Sequence, residues 1–239
     1  MSAMTSAPLA IETQDGSCPA YVYGNSGHPS VLVYIDGIGM RPAMHAIAER
    51  IAGAGYHVLL PDLFYRRGAY TAPEPKALFS DPEVRSAWFA KARQAVTPDG
   101  AMRDTRAFLD TLSGPVGVVG YCMGGRMAFV CAATYPDRVV AAAAYHPGGL
   151  VSDGDDSPHL LAPKIKAKLY IGRATDDGSF TDEQAQQVDQ ALTAAHVDYT
   201  LELYPAKHGW VPDDTPVHDT AATARHDATL LALFNDALR

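Results

Sequence analysis

Apolar and polar positions alternate over residues 9–13 and again over 20–23, with Asp15-Gly16 between them, which predicts a hairpin of two half-buried strands. The pattern then changes. Residues 30–35 are apolar almost without interruption and rich in β-branched side chains, as in a strand covered on both faces of a parallel sheet. Pro42 opens a helical period that puts Met44, Ile47, Ala48 and Ile51 on one face, closed by Gly53 and Gly55. A strand at 57–60 stops at Pro61-Asp62. Pro73, Pro75, Pro82 and Pro98 break residues 64–100 into pieces, which are expected to make helical excursions over the sheet edge. Beyond them the pattern predicts helix 102–112, strand 116–120, helix 122–135, strand 139–145, strand 168–172, helix 181–195 capped by Thr181, strand 199–204 and helix 215–238. Such alternation predicts a mostly parallel central sheet with helices on both faces. No repeat, low-complexity tract or linker interrupts it, so residues 1–239 are read as a single α/β domain.

The sharpest local signal is Gly120-Tyr121-Cys122-Met123-Gly124-Gly125, set between a strong strand and a helix. A nucleophile elbow needs that context. The central residue takes a strained backbone conformation that lifts its side chain clear of the sheet, and glycines two positions either side avoid collision with it. A thiol at this place meets a helix N-terminus, whose unpaired amides favour thiolate. The Met123 amide is placed to donate to a developing oxyanion, and Gly37, after the strand at 30–35, is expected to supply the second donor. Asp36 then points into the site near the thiol, either tuning it or capping the following turn.

An acid and a base should follow the nucleophile in chain order, each just after a strand. Asp176-Asp177 follows the strand at 168–172, and His208-Gly209 follows the strand at 199–204. The imidazole would take the thiol proton and later protonate the leaving group, while the carboxylate fixes the ring tautomer. Of the nine histidines, His57, His196, His218 and His226 are read as packing or surface residues, whereas His146 follows the strand at 139–145 on the nucleophile's side and is expected to line the pocket. No histidine pair has metal-ligand spacing.

Composition narrows the partners. The chain is 47% apolar with a net charge of −8, and no basic stripe exists to neutralise phosphates, so nucleic acid is not expected. The basic run at Lys164, Lys166 and Lys168 is read as a solvated strand edge. No apolar run reaches membrane-spanning length and no leader pattern opens the chain, so neither a bilayer partner nor secretion is expected. Cys18, Cys122 and Cys131 fit neither a disulfide framework nor a zinc pattern, which points to a reducing cytoplasm. Oligomeric state is left open between monomer and homodimer.

Four segments together resemble the dienelactone hydrolase family of the α/β-hydrolase superfamily, over nearly the whole chain: Val31-Leu-Val-Tyr-Ile-Asp-Gly-Ile-Gly, Gly55-Tyr-His-Val-Leu-Leu-Pro-Asp-Leu-Phe-Tyr-Arg, Val118-Val-Gly-Tyr-Cys-Met-Gly-Gly-Arg and Tyr204-Pro-Ala-Lys-His-Gly-Trp. The resemblance implies an α/β-hydrolase fold, a Cys122-His208-Asp177 triad and cleavage of a small ester or lactone without metal or organic cofactor. It favours Asp177 over Asp176, because relatives often read A-x-x-D where this chain has Ala174-Thr-Asp-Asp177. There are departures. Asp36 stands where well-known members carry Glu, and no arginine follows His208 to hold a substrate carboxylate. A second such arginine falls near Arg85; with Tyr121 and His146 it completes the candidate substrate contacts. Three other functions compete, one of them thiol redox chemistry at Cys122, for which the sequence offers no nearby resolving cysteine. Gly37-Ile-Gly39 with Asp62 mimics part of a dinucleotide fingerprint of an oxidoreductase, although Pro42 occupies the third glycine position. A hydrolase fold turned binding module is the third.

Overall fold

The computed structural model describes residues 7–239, so the start of the N-terminal segment read as lacking a leader lies outside the described residues. Strands β1 (Ala7–Thr13) and β2 (Gly16–Tyr23) form the expected hairpin, Thr13 opposite Gly16. The remaining strands are β3 (Ser30–Tyr34), β4 (His57–Pro61), β5 (Val116–Tyr121), β6 (Val139–Tyr145), β7 (Lys168–Ala174) and β8 (Tyr199–Tyr204). They build one eight-stranded sheet in the order β1-β2-β4-β3-β5-β6-β7-β8. The hairpin pairs antiparallel onto β4, and every other neighbour is parallel. Every residue of β3 and β5 is buried, as their unbroken apolar runs require.

Helices cover both faces, and the two-residue period of β5 sorts them. Gly117 and Tyr121 face α7 (Thr220–Leu238), through the Phe234 ring and His226. Gly120 and its neighbour Tyr34 face the other way, toward α5 (Met123–Thr134) and, through Thr105, toward α4 (Pro98–Asp110). Helices α1 (Pro42–Gly53) and α6 (Asp182–Ala194) complete the layers; Thr181 and Gln184 close a reciprocal capping box on α6.

Pro75, Pro82 and Pro98 do not break helices but begin them. Helix α2 (Pro75–Ser80) follows Glu74, whose carboxylate accepts from the Lys76 and Ala77 amides, and α3 (Pro82–Ala95) follows Asp81, which accepts from Glu83 and Val84. Proline at the first position gives up an amide that had no partner anyway. By the same device α4 starts at Pro98 behind a Thr97 cap, four residues before the expected start. The last helix starts late, at Thr220, because the Thr215 hydroxyl donates to the Gly209 carbonyl at 2.8 Å and Asp219 caps the Ala222 amide at 2.8 Å. A 3-10 segment, Pro158–Lys164, was not anticipated by the hydrophobic pattern. Among the described residues no helix is long and apolar enough to cross a membrane.

Candidate active site

Sheet register decides which loops meet. Tyr34 pairs with Gly120, so the chain leaving β3 at Asp36 and Gly37 runs beside the chain leaving β5 at Cys122 and Met123. Ala174 pairs with Tyr204, so the loops carrying Asp177 and His208 also leave the sheet together. All four loops emerge at the carboxyl ends of the parallel strands, around the point where strand order reverses between β3 and β5.

Cys122 has φ 53° and ψ −113°, the strained turn expected of an elbow. The flanking glycines are obligatory. A Cβ on Gly120 would stand 1.9 Å from the Gly124 carbonyl oxygen, and one on Gly124 would stand 2.4 Å from that of Tyr34. Cys122 is half-buried, whereas Cys18 and Cys131 are buried.

His208 Nδ1 lies 2.6 Å from Asp177 Oδ2. Burial works against a proton on this ring, but the charge of Cys122, then hydrogen bonds to Asp177 and Cys122, outweigh it and raise its pKa to about 10. Asp177 is pulled the other way. Burial favours its neutral form, yet the bond to His208 and those from Ser179 lower its pKa below the usual carboxylate value. Asp177 is buried while Asp176 is exposed, so Asp177 is the carboxylate that meets the imidazole.

Ser179 was missed by sequence reasoning. Its hydroxyl and amide both donate to Asp177 Oδ1, at 2.6 and 2.9 Å. The spacing Asp-x-Ser was the available signal, since a carboxylate commonly accepts from the amide two residues on.

Of the two roles expected of Asp36, the structure shows the turn cap. Its carboxylate accepts from Arg41 Nη1 at 2.8 Å and Nη2 at 2.9 Å, and from the Ile38 amide at 2.9 Å. The turn-capping alternative therefore describes it, together with a salt bridge the sequence reading did not see. Arg41 is itself buried and reaches Asp214, beyond His208, at 2.7 Å. One guanidinium thus ties the loop after β3 to the loop after β8.

Three substrate contacts were expected; two of them are fully buried and the third is exposed on α3. Tyr121 is fully buried on the α7 face, its hydroxyl 3.0 Å from His226 Nε2, because odd-numbered residues of β5 point away from α5. His146 is also fully buried, φ 38°, its ring centroid 5.2 Å from that of His208 and its Nδ1 accepting the Cys122 amide at 3.1 Å. Arg85 is exposed on α3, with no ion pair among the described residues. One turn further along α3, Trp88 Nε1 donates to the Gly37 carbonyl at 3.0 Å and the Phe89 ring covers Gly37. The Gly37 and Met123 amides have no protein acceptor among the described residues.

A cleft of about 580 Å³ opens beside Asp177 and His208, lined also by Phe79, Lys207, Pro216 and Val217. Lys207, not singled out from the sequence, adds a second cation beside the His208 ring. The apparent dinucleotide fingerprint does not form a phosphate cradle. Phe64 and Tyr70 pack on Gly39, Phe89 packs on Gly37, and Asp62 is engaged by the Tyr70 hydroxyl at 2.8 Å and the Phe64 amide at 3.0 Å.

Comparison with known proteins agrees with this architecture. The sequence model of the dienelactone hydrolase family matches residues 18–238. Carboxymethylenebutenolidase 1 of Cupriavidus pinatubonensis is 28% identical over 213 residues, 86% of this chain and 85% of that protein. The carboxymethylenebutenolidase of Rhodococcus opacus is 25% identical over 239 residues, 92% of this chain and 88% of that protein. A crystal structure from Klebsiella pneumoniae named for the same family superposes with TM-score 0.84 at 21% identity, covering 98% of this chain and 99% of that one, and so shares the fold.

Proposed function

The chain belongs to the dienelactone hydrolase family and is a hydrolase of esters or lactones, and on that premise we propose that Cys122, His208 and Asp177 form its catalytic triad. The observation that carries the reading is the continuous line from the strained Cys122 turn through His208 to buried Asp177. Residues 7–239 act in this reading as one catalytic unit, since every site loop leaves the same sheet.

The Cys122 thiolate attacks the substrate carbonyl carbon, and the carbonyl electron pair moves onto oxygen, facing the Met123 and Gly37 amides. Collapse of this adduct breaks the carbon–oxygen bond, and the His208 imidazolium gives its proton to the departing alkoxide. In a lactone that alkoxide stays tethered to the acyl group. Water then attacks the thioester, losing a proton to His208, and the carboxylic acid leaves with Cys122 restored. One water is consumed for each ester bond. Asp177 holds Nδ1–H so that Nε2 faces the thiol and stabilises the imidazolium. The cleft beside His208 is within the size range of small-ligand sites, and its mix of Phe79, Pro216 and Val217 with Lys207 suits a small substrate with an apolar portion.

Incubation with p-nitrophenyl acetate followed by mass spectrometry tests the reading. An acetyl group on Cys122 is expected, with turnover lost in Cys122→Ser and reduced about 10²- to 10⁴-fold in His208→Ala. Unchanged turnover in both variants would refute it.

A further inference from the structure

We propose that His146 is a positioning residue: its Nδ1 lone pair holds the Cys122 backbone in the conformation that presents the thiol, while its ring braces His208. The inference rests on the reading of Cys122 as nucleophile.

Cys122 and His146 are two of the four non-glycine residues with positive φ among those described, at 53° and 38°. Such backbones persist only where surrounding contacts over-determine them. His146 also precedes Pro147, whose ring narrows its choices further. Its own amide donates to the Gly172 carbonyl at 2.7 Å, which anchors it to β7.

The Cys122 amide has two acceptors. One is the Tyr145 carbonyl at 3.1 Å, the partner that simple continuation of the β5–β6 ladder supplies. The other is His146 Nδ1, also at 3.1 Å. An acceptor Nδ1 requires the neutral ring with its proton on Nε2. Full burial enforces that state: it holds His146 well below the usual imidazole range, and the His208 and His226 rings act in the same direction. The lone pair therefore stays available whenever the site works.

The ring packs 5.2 Å from His208 and 4.8 Å from Trp210, centroid to centroid. One neutral side chain thus touches the backbone of the nucleophile and the ring of the base. It transfers no proton, and being uncharged it does not oppose the His208 imidazolium.

Two variants separate this role from mere packing. His146→Phe keeps an aromatic ring and removes the acceptor. His146→Asn places an oxygen where Nδ1 stood and tolerates positive φ. With p-nitrophenyl acetate, single-turnover acetylation of Cys122 should slow about tenfold in the Phe variant, with KM changed less than about twofold, and should stay within about threefold of wild type in the Asn variant. Circular dichroism establishes that each is folded, and His146→Leu replaces a Phe variant that does not fold. Wild-type acetylation in the Phe variant, or a folded Asn variant as slow as Phe, overturns the proposal and leaves Cys122 as nucleophile. Ester turnover by wild type without any acetyl-Cys122 overturns the parent reading, and this one with it.

Discussion

Cys122 differs from the other two cysteines in where the chain puts it rather than in chemistry. Burial pushes the thiols of Cys18 and Cys131 up to about 12, so neither presents appreciable thiolate near neutral pH. Iodoacetamide is expected to alkylate Cys122 alone in the folded protein, as read by peptide mapping, and comparable adducts at Cys18 or Cys131 would contradict this. Asp177 carries a second residue-scale prediction. Removing its charge takes the partner from His208 Nδ1 and frees the ring to adopt the wrong tautomer. In Asp177→Asn, kcat on p-nitrophenyl acetate should fall about 10²- to 10⁴-fold with KM little changed. The candidate Cys122, His208 and Asp177 were legible in the sequence because each is tied to a strand end. The fate of Tyr121 was not, because it depends on which face of β5 a helix distant in sequence covers.

At the scale of elements, the elbow and the Arg41 bridge make separable demands. A methyl group at Gly124 would press on the Tyr34 carbonyl, which is backbone of a fully buried strand and has nowhere to move. Gly124→Ala should therefore cost about 3 kcal/mol or more in urea unfolding, while Gly178→Ala, which meets open space, should stay within about 0.5 kcal/mol. Arg41 joins the loops after β3 and β8 through Asp36 and Asp214. Arg41→Met leaves the Asp36 carboxylate buried without its partner and should destabilise by about 3–5 kcal/mol. Asp36→Asn placed on that variant should recover part of the loss, since a neutral amide costs less to bury; a double variant no more stable than the single would count against the account. The prolines of residues 64–100 teach the same lesson from the other side. Read alone, each is a breaker; behind the acidic caps Glu74 and Asp81, Pro75 and Pro82 each open a helix.

At the scale of the molecule, the coupled charges of the site make stability depend on pH. The folded pKa of His208, about 10, lies above its ordinary 6.5. Its contribution to stability is therefore complete below pH 6.5 and is lost as pH rises toward 10. Asp177 has the opposite sign: its pKa is lowered from 3.8, so its contribution is present above that value and is lost as pH falls through the folded pKa. Urea midpoints should decline between pH 6.5 and about 10 in wild type, and the decline should shrink in Cys122→Ala, where the charge that raises His208 most is gone. Equal declines in both proteins would contradict the coupling.

Sequence alone determined the layered architecture and the glycine-flanked Cys122 turn, because both are written in local periods: two residues for a strand, near four for a helix, two glycines about a cysteine. It also placed His208 by its position after a strand. Tertiary structure alone decided that Asp36 pairs with Arg41, which also reaches Asp214, and that His146 turns its ring to the Cys122 amide. Those outcomes depend on which of several available partners lies within about 3 Å once the sheet has brought distant loops together, and no period along the chain encodes that distance.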